Sequence, residues 1–383
     1  MNEPAIFYTP EGLEEAFQQI ENLKQKDNIG IYDYFALKDA VASISNNPRD
    51  YRRFYHEIEG EKICHDKVHN LYGYNMTRAA GEAFEELEPD KRILLFSRAS
   101  YIGMHRYGGI WIGDNTSWWS HLLLHIKMMP SLNMCGILYA EADIGGFGGN
   151  TTEDLMLRWL QFGCFTPLMG NHTALGTRKQ EAYQFIDIDS FRNIIGIRYG
   201  LIPYLYSEYI KAALRNELYF RTLMMDYPED TFVENIEDQL MVGGSIMIAP
   251  IYEQNTRGRY VYLPEEMLMV KFRSLTDREY KVMEKGHHYI DVALEEMICF
   301  IKPNHLVPLC KGGEYIEALD ETRLEICGFV KDEACYEIYQ DDGFTKEYHN
   351  KGHWSQIKIS KIGEIFQSTC MRETLNLELN IFA

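Results

Sequence analysis

The sequence predicts an α/β fold: the carboxyl-terminal half of a (β/α)8 barrel, followed by β-sandwich carboxyl-terminal domains. Three observations point there. Apolar runs ending in polar residues alternate with helical patterns over the first 238 residues. Three of the polar groups, Asp114, Asp143 and His172, follow one another at 29-residue intervals, about one βα unit each. Beyond residue 238 the texture becomes short β-rich runs broken by Gly, Asp and Pro. The expected domains are 1–238 for the barrel part, 239–311 for a proximal β-sandwich, and 312–383 for a distal β domain short enough to be incomplete.

Taken in order, "RILLFSR", "GIWIGDN", "CGILYAEADIGG" and "CFTPLMGNH" read as strands buried on both faces, with functional groups at their carboxyl ends. Between them, "SWWSHLLLHIKMM" and "TTEDLMLRWLQFG" read as helices. The second opens with a capping pattern from Thr151 to Asp154 and sets Leu155, Trp159 and Phe162 on one face. "HNLYGYNM", residues 69–76, reads as helix packing and turn. Then come "GSIMIAPIY", "GRYVYLP", "MICFIKP", "LEICGFV" and "CYEIYQ", the β-rich tail. Four strand-like runs fall short of the eight that close such a barrel, so strand edges would be open to another chain. A separate amino-terminal half or a second copy of this chain would fit that edge.

Composition bounds the function. With 38 basic and 57 acidic residues the net charge is −19, which disfavours nucleic acid and anionic membranes. Apolar residues make up 46% of the chain and aromatics 13%, enough for a large core. No run of about twenty apolar residues appears, so no membrane span is expected. The start shows no basic segment followed by an apolar one, so a cytoplasmic location is expected. The eight cysteines are scattered, with no CxxC pair, and read as free thiols; no metal site and no cofactor are expected.

"HRYGGIWIGDNTSWW" places Arg106, Trp111 and Asp114 within nine positions. An Asp flanked by aromatics is partly desolvated, which raises its pKa and suits a general acid, while aromatic faces suit a sugar ring. Asp114 reads equally as the cap of the helix at "NTSWW". Asp143, in "EADIGGFGGN" with Glu141 before it, could accept from sugar hydroxyls or simply form the turn. The glycines lack the Lys of a phosphate loop. His172 could donate to a hydroxyl or be structural.

Together these strings resemble glycoside hydrolase family 31, the α-glucosidase and α-xylosidase family, over nearly the whole chain. The family's ordered motifs appear as "MNEP", "HNLYG", "FSR", "RYGGIWIGDN", "ADIGGF", "RWLQFGCFTP", "NH", "RYGLIPYLY", "QLMVG" and "VYLP". "YQDDGFTKEY" looks like its distal β domain. The resemblance implies a retaining α-glucosidase acting on α-linked glucosides and oligosaccharides such as maltose or isomaltose. In that mechanism one carboxylate attacks the anomeric carbon and a second, roughly 5–5.5 Å away, serves as acid and then base. By position Asp114 matches the acid/base, and Arg106, Trp111, Asp143, Phe147 and His172 match residues around the non-reducing-end glucose. Met1 matches the Met that follows the nucleophilic Asp, beside that same subsite. The resemblance thus places the nucleophile immediately before Met1, along with the first barrel units and an amino-terminal β-sandwich. An internal Met read as a start codon would produce such a chain, which is expected to be inactive alone. A non-catalytic sugar-binding or assembly component that pairs with an amino-terminal half is the alternative. Two departures bear on leaving-group preference: Gly170 stands where many members have Arg, and Ala182 where many have Pro.

Overall fold

The computed structural model describes residues 8–44, 48–372 and 374–383. The chain forms two compact units, Met1–Leu87 with Leu95–Gly108 and Glu88–Leu94 with Gly109–Ala383.

The first unit carries α1 (Pro10–Lys24), α2 (Ile31–Ala42), α3 (Pro48–Tyr51), a hairpin of β1 (Tyr55–Ile58) and β2 (Glu61–Cys64), α4 (His65–Leu87) and β3 (Phe96–Ser97). Thr9 caps α1 by accepting from Gly12 N at 3.2 Å, and Pro10 takes the first helical position, where a missing N–H costs nothing. Buried Asp50 accepts from Thr9 N at 3.1 Å and Thr9 Oγ1 at 2.6 Å; a Cβ at Gly12 would lie 2.3 Å from its carboxylate. The motif "HNLYGYNM" lies within α4, where His69 stacks on Tyr51 at 4.3 Å.

The second unit begins with a βαβ unit. β4 (Gly109–Trp111) leads through α5 (Trp119–Met134) to β5 (Ala140–Glu141), which pairs parallel to β4 with Ile110 opposite Ala140 and Trp111 opposite Glu141. α6 (Glu153–Gly163) follows. Its apolar face packs on α5, where Trp159 Nε1 donates to His125 Nδ1 at 2.9 Å; burial pushes the His125 imidazole down to about 3, so it is neutral. α7 (Ile188–Arg215) runs on into the β region. Tyr204 on α7 donates to Val242 O at 2.6 Å and accepts from Ser245 N at 3.0 Å, tying helix to sheet.

That sheet has six strands in the order β11-β10-β13-β8-β7-β6: β6 (Phe220–Thr222), β7 (Leu240–Val242), β8 (Ile246–Ile248), β10 (Met267–Phe272), β11 (Arg278–Met283) and β13 (Met297–Ile301), with α8 (Leu223–Asp226) between β6 and β7. It therefore starts upstream of residue 239. β9 (Gly258–Leu263) and β12 (Gly286–Asp291) form a second ribbon, and Val261, Leu263, Met267, Met269, Ile298 and Phe300 share one buried cluster. Beyond it, β14 (His305–Cys310), β15 (Arg323–Phe329) and β19 (Asn376–Phe382) make one sheet, and β16 (Glu333–Tyr339), β17 (Trp354–Ile362) and β18 (Ile365–Cys370) another. β19 lies parallel to β15 from Arg323–Asn376 to Phe329–Phe382.

Four sequence expectations change. "CFTPLMGNH" is not a strand: the Arg198 guanidinium binds the carbonyls of Gly163, Cys164 (2.8 Å), Thr166 (2.6 Å) and Pro167, groups a ladder would need. "RILLFSR" keeps only Phe96–Ser97 as strand. Its start is drawn to the distal domain, where Arg92 N donates to Phe344 O at 2.8 Å and the Arg92 guanidinium binds Asp341, and to Tyr206 on α7. The cap of α6 is Thr152, one residue past the expected Thr151, and its hydroxyl binds the Asp154 carboxylate rather than a backbone N–H. α5 continues through Pro130 to Met134, because Pro130 and Asn133 are buried and Asn133 binds Ile137 O and Phe220 N.

All eight cysteines are free thiols. Among the described residues no helix is long and apolar enough to cross a membrane.

Candidate active site

Strands β4 and β5 end side by side, and their carboxyl ends carry the predicted acids. β4 runs into Ile112, Gly113 and Asp114. Gly113 has φ +96°, a left-handed turn that suits glycine. The next residue, Asn115, locks this turn to the end of β5. Its Nδ2 donates to Asp143 O at 2.9 Å and its Oδ1 accepts from Asp143 N at 3.1 Å. Asp114 and Asp143 are thus set one βα unit apart on neighbouring strands.

Asp114 is exposed, so the desolvation expected from its aromatic neighbours is not what surrounds it. Nor does it cap a helix: α5 starts after Trp118, with no side-chain cap. Asp143 is buried, at 2% exposure. It also heads the glycine turn: Gly146 N donates to Asp143 O at 2.9 Å. Gly146 has φ +93°, and a Cβ there would lie 2.4 Å from Ser117 N, so the glycines serve chain geometry.

Phe147 is held by Asn115 O, which accepts from Phe147 N at 2.7 Å. Its ring stacks on His172, centroids 5.2 Å apart and planes at 30°. Ala174 N returns to Phe147 O at 3.0 Å, fixing the loop that carries His172. Trp111, buried at 7%, lies in register with Glu141. Arg106 belongs to the first unit, where its Nη2 donates to Tyr74 OH at 2.7 Å and its Nε to Gly103 O at 3.2 Å. Met1 lies outside the described residues.

Two residues gained no role from the sequence. Asn115, the bridge, stands directly after the predicted acid. Gln180, 1% exposed, donates from Nε2 to Gly146 O at 3.1 Å and Asn171 Oδ1 at 3.0 Å, and its main-chain carbonyl accepts from Asn171 Nδ2 at 2.8 Å. Nothing in the local pattern around Gln180 signals a tie to strands more than thirty residues upstream.

The family model described as the glycosyl hydrolases family 31 TIM-barrel domain matches residues 1–208. The chain belongs to glycoside hydrolase family 31. The model of that family's C-terminal domain matches residues 216–307. Among curated members, alpha-glucosidase 2 of Bacillus thermoamyloliquefaciens is 33% identical over 79% of this chain and 38% of its own length. Neutral alpha-glucosidase AB of Dictyostelium discoideum is 35% identical over 74% of this chain and 31% of its own. The chain thus spans roughly a third of the curated relatives it matches. Among solved family 31 structures, a Flavobacterium johnsoniae dextranase complexed with glucose superposes with TM-score 0.76 at 23% identity, covering 96% of this chain and 48% of the other. The glucosidase II alpha subunit gives TM-score 0.74 at 22% identity, over 83% and 36%. The fold is therefore the family's carboxyl-terminal barrel portion with β-rich domains behind it.

Proposed function

We propose that these residues form part of a retaining, exo-acting α-glucosidase for α-linked gluco-oligosaccharides such as maltose or isomaltose, with Asp114 as general acid/base. The observation that carries this reading is the Asn115 bridge, which sets Asp114 and Asp143 at adjoining strand ends. Exposed Asp114 is open to protonate a leaving glycosidic oxygen and then to take a proton from water. Asp143 would accept from sugar hydroxyls, with Trp111 and the Phe147–His172 stack lining the same subsite, while Arg106 and Met1 are assigned to it by the resemblance alone. The nucleophile belongs to the position ahead of Met1, and Glu3 does not replace it. The double displacement then requires a polypeptide or complex that supplies that carboxylate.

The test compares residues 1–383 with the protein expressed together with the coding sequence upstream of Met1. The longer protein is expected to release α-glucose first from maltose, and Asp114→Asn to cut this turnover by roughly 10²–10⁴-fold. Turnover by pure residues 1–383, lost in Asp114→Ala, would refute the assignment of the nucleophile.

A second reading, a non-catalytic sugar-binding or assembly component joined by a separate amino-terminal half, draws support from α2. Ile31, Tyr32, Tyr34 and Phe35 on this helix are all more than half exposed, an apolar surface suited to a covering polypeptide. Calorimetry with isomaltose separates the two, since a binding component saturates without turnover.

A further inference from the structure

Glu141 is a buried carboxyl to which the proposed reaction gives no task. Its side chain is 7% exposed, and its Oε2 has no hydrogen-bond partner among the described residues. The space it occupies exists because residue 170 is glycine: a Cβ there would lie 2.5 Å from Glu141 Oε1 and 3.0 Å from Oε2. The Gly170 backbone N–H faces the same carboxyl and favours its ionised form. This links two walls of the proposed subsite. Glu141 lies on the strand that leads to Asp143, and Gly170 on the loop that leads to His172. Ile144 N donates to Gly170 O at 3.0 Å across the same seam.

We propose that Glu141 is a positioning residue of the glucoside subsite: docked on Gly170, it sets the spacing between Asp143 and His172. The proposal rests on the α-glucosidase reading above. It also accounts for the glycine at 170, where the resemblance leads one to expect an arginine: a side chain at 170 and this carboxyl compete for one volume. The charged and titratable groups acting on Glu141 are Asp143, Arg198 and Tyr139. Burial first, and the Asp143 carboxylate second, push its carboxyl up to about 7, against the pull of the Gly170 N–H and Arg198. The docked carboxyl is therefore neutral in mildly acid solution. Its ionisation adds a second negative charge beside Asp143.

The test uses the protein that carries the complete barrel, with a double-mutant cycle over Glu141→Ala and Gly170→Ala, and Glu141→Gln as the shape-conserving control. With 4-nitrophenyl α-glucoside, Gly170→Ala is expected to raise KM several-fold by expelling the carboxyl, and Glu141→Ala in the same background to recover part of that loss. Wild-type KM should change through pH 7, and Glu141→Gln should lose this inflection. Strict additivity of the two alanine variants, or a pH profile of KM unchanged by Glu141→Gln, overturns the proposal. If no variant turns over the glucoside, the same cycle is read in melting temperature. Coupling there upholds the docked pair and removes the hydrolase reading, whereas additivity removes the pair.

Discussion

Replacing Glu141 with Gln should make the protein less sensitive to alkaline pH, and the size of the effect follows from the site. The carboxyl is raised from 4.5 to about 7 in the folded state. The folded chain therefore holds a proton that the unfolded chain has released between those pH values. Stability linked to Glu141 is fully present below 4.5, falls by about 1.4 kcal/mol per pH unit, and is lost as pH rises through 7. A separation of about 2.5 units corresponds to ~3.4 kcal/mol. Because Glu141 is 7% exposed, solvent screening takes little from this. Glutamine keeps the shape but does not titrate. Urea unfolding followed by tryptophan fluorescence, with Trp111 in register beside Glu141, reads the difference. Wild type and Glu141→Gln should keep a constant offset below pH 4.5 and diverge above it, the mutant gaining ~3 kcal/mol by pH 8. Offsets equal at pH 4.5 and pH 8 would refute the reasoning.

Other outcomes follow from single contacts. Asp114→Asn in the longer protein should cut turnover by roughly 10²–10⁴-fold, with less effect on activated aryl glucosides that need no protonated leaving group. Gln180→Ala should raise KM and lower the melting temperature, because it removes the amide that joins the glycine turn to Asn171; a truncated buried amide costs about 1–3 kcal/mol. Tyr204→Phe strands the buried Val242 carbonyl and Ser245 N–H and should destabilise by a similar ~1–3 kcal/mol in calorimetry. Burial alone would raise the Asp341 carboxyl, but donation from Tyr339, Tyr206 and Arg92 outweighs it and holds the group below its ordinary value. Its contribution is present above pH 3.8 and lost as pH falls further. Asp341→Asn should therefore remove part of the acid-side loss of stability and lower the melting temperature at neutral pH.

Where sequence reasoning worked, a local pattern sufficed. Residues 117–129 carry a helical apolar rhythm, and a helix is there. The intervals from Asp114 to Asp143 reflected an actual strand–helix–strand step. The reading failed where a distant side chain decides the backbone's partner. An apolar run at 164–172 looks like a strand until Arg198, more than thirty residues on, occupies its carbonyls. The start of "RILLFSR" is claimed by the loop at 341–345, some 250 residues away. At the site, residue types were readable but exposure was not. Aromatic letters around Asp114 suggested a dry carboxyl, yet exposure depends on where those rings point. The buried acids are instead Asp143 and Glu141, and the vacancy at Gly170 accounts for the seat of Glu141.

The parallel pairing of β19 with β15 carries a consequence for synthesis. The partner of Arg323–Phe329 is translated only after β16, β17 and β18. Until then one side of β15 has no backbone to bind. Residues 376–382 also bring Asn380 to the Tyr280 hydroxyl at 2.9 Å and Phe382 onto its ring at 4.6 Å, covering that side chain of the edge strand β11. A nascent chain halted short of residue 376 therefore leaves β15 without its second partner and Tyr280 of β11 uncovered at once, and the same seven residues supply both.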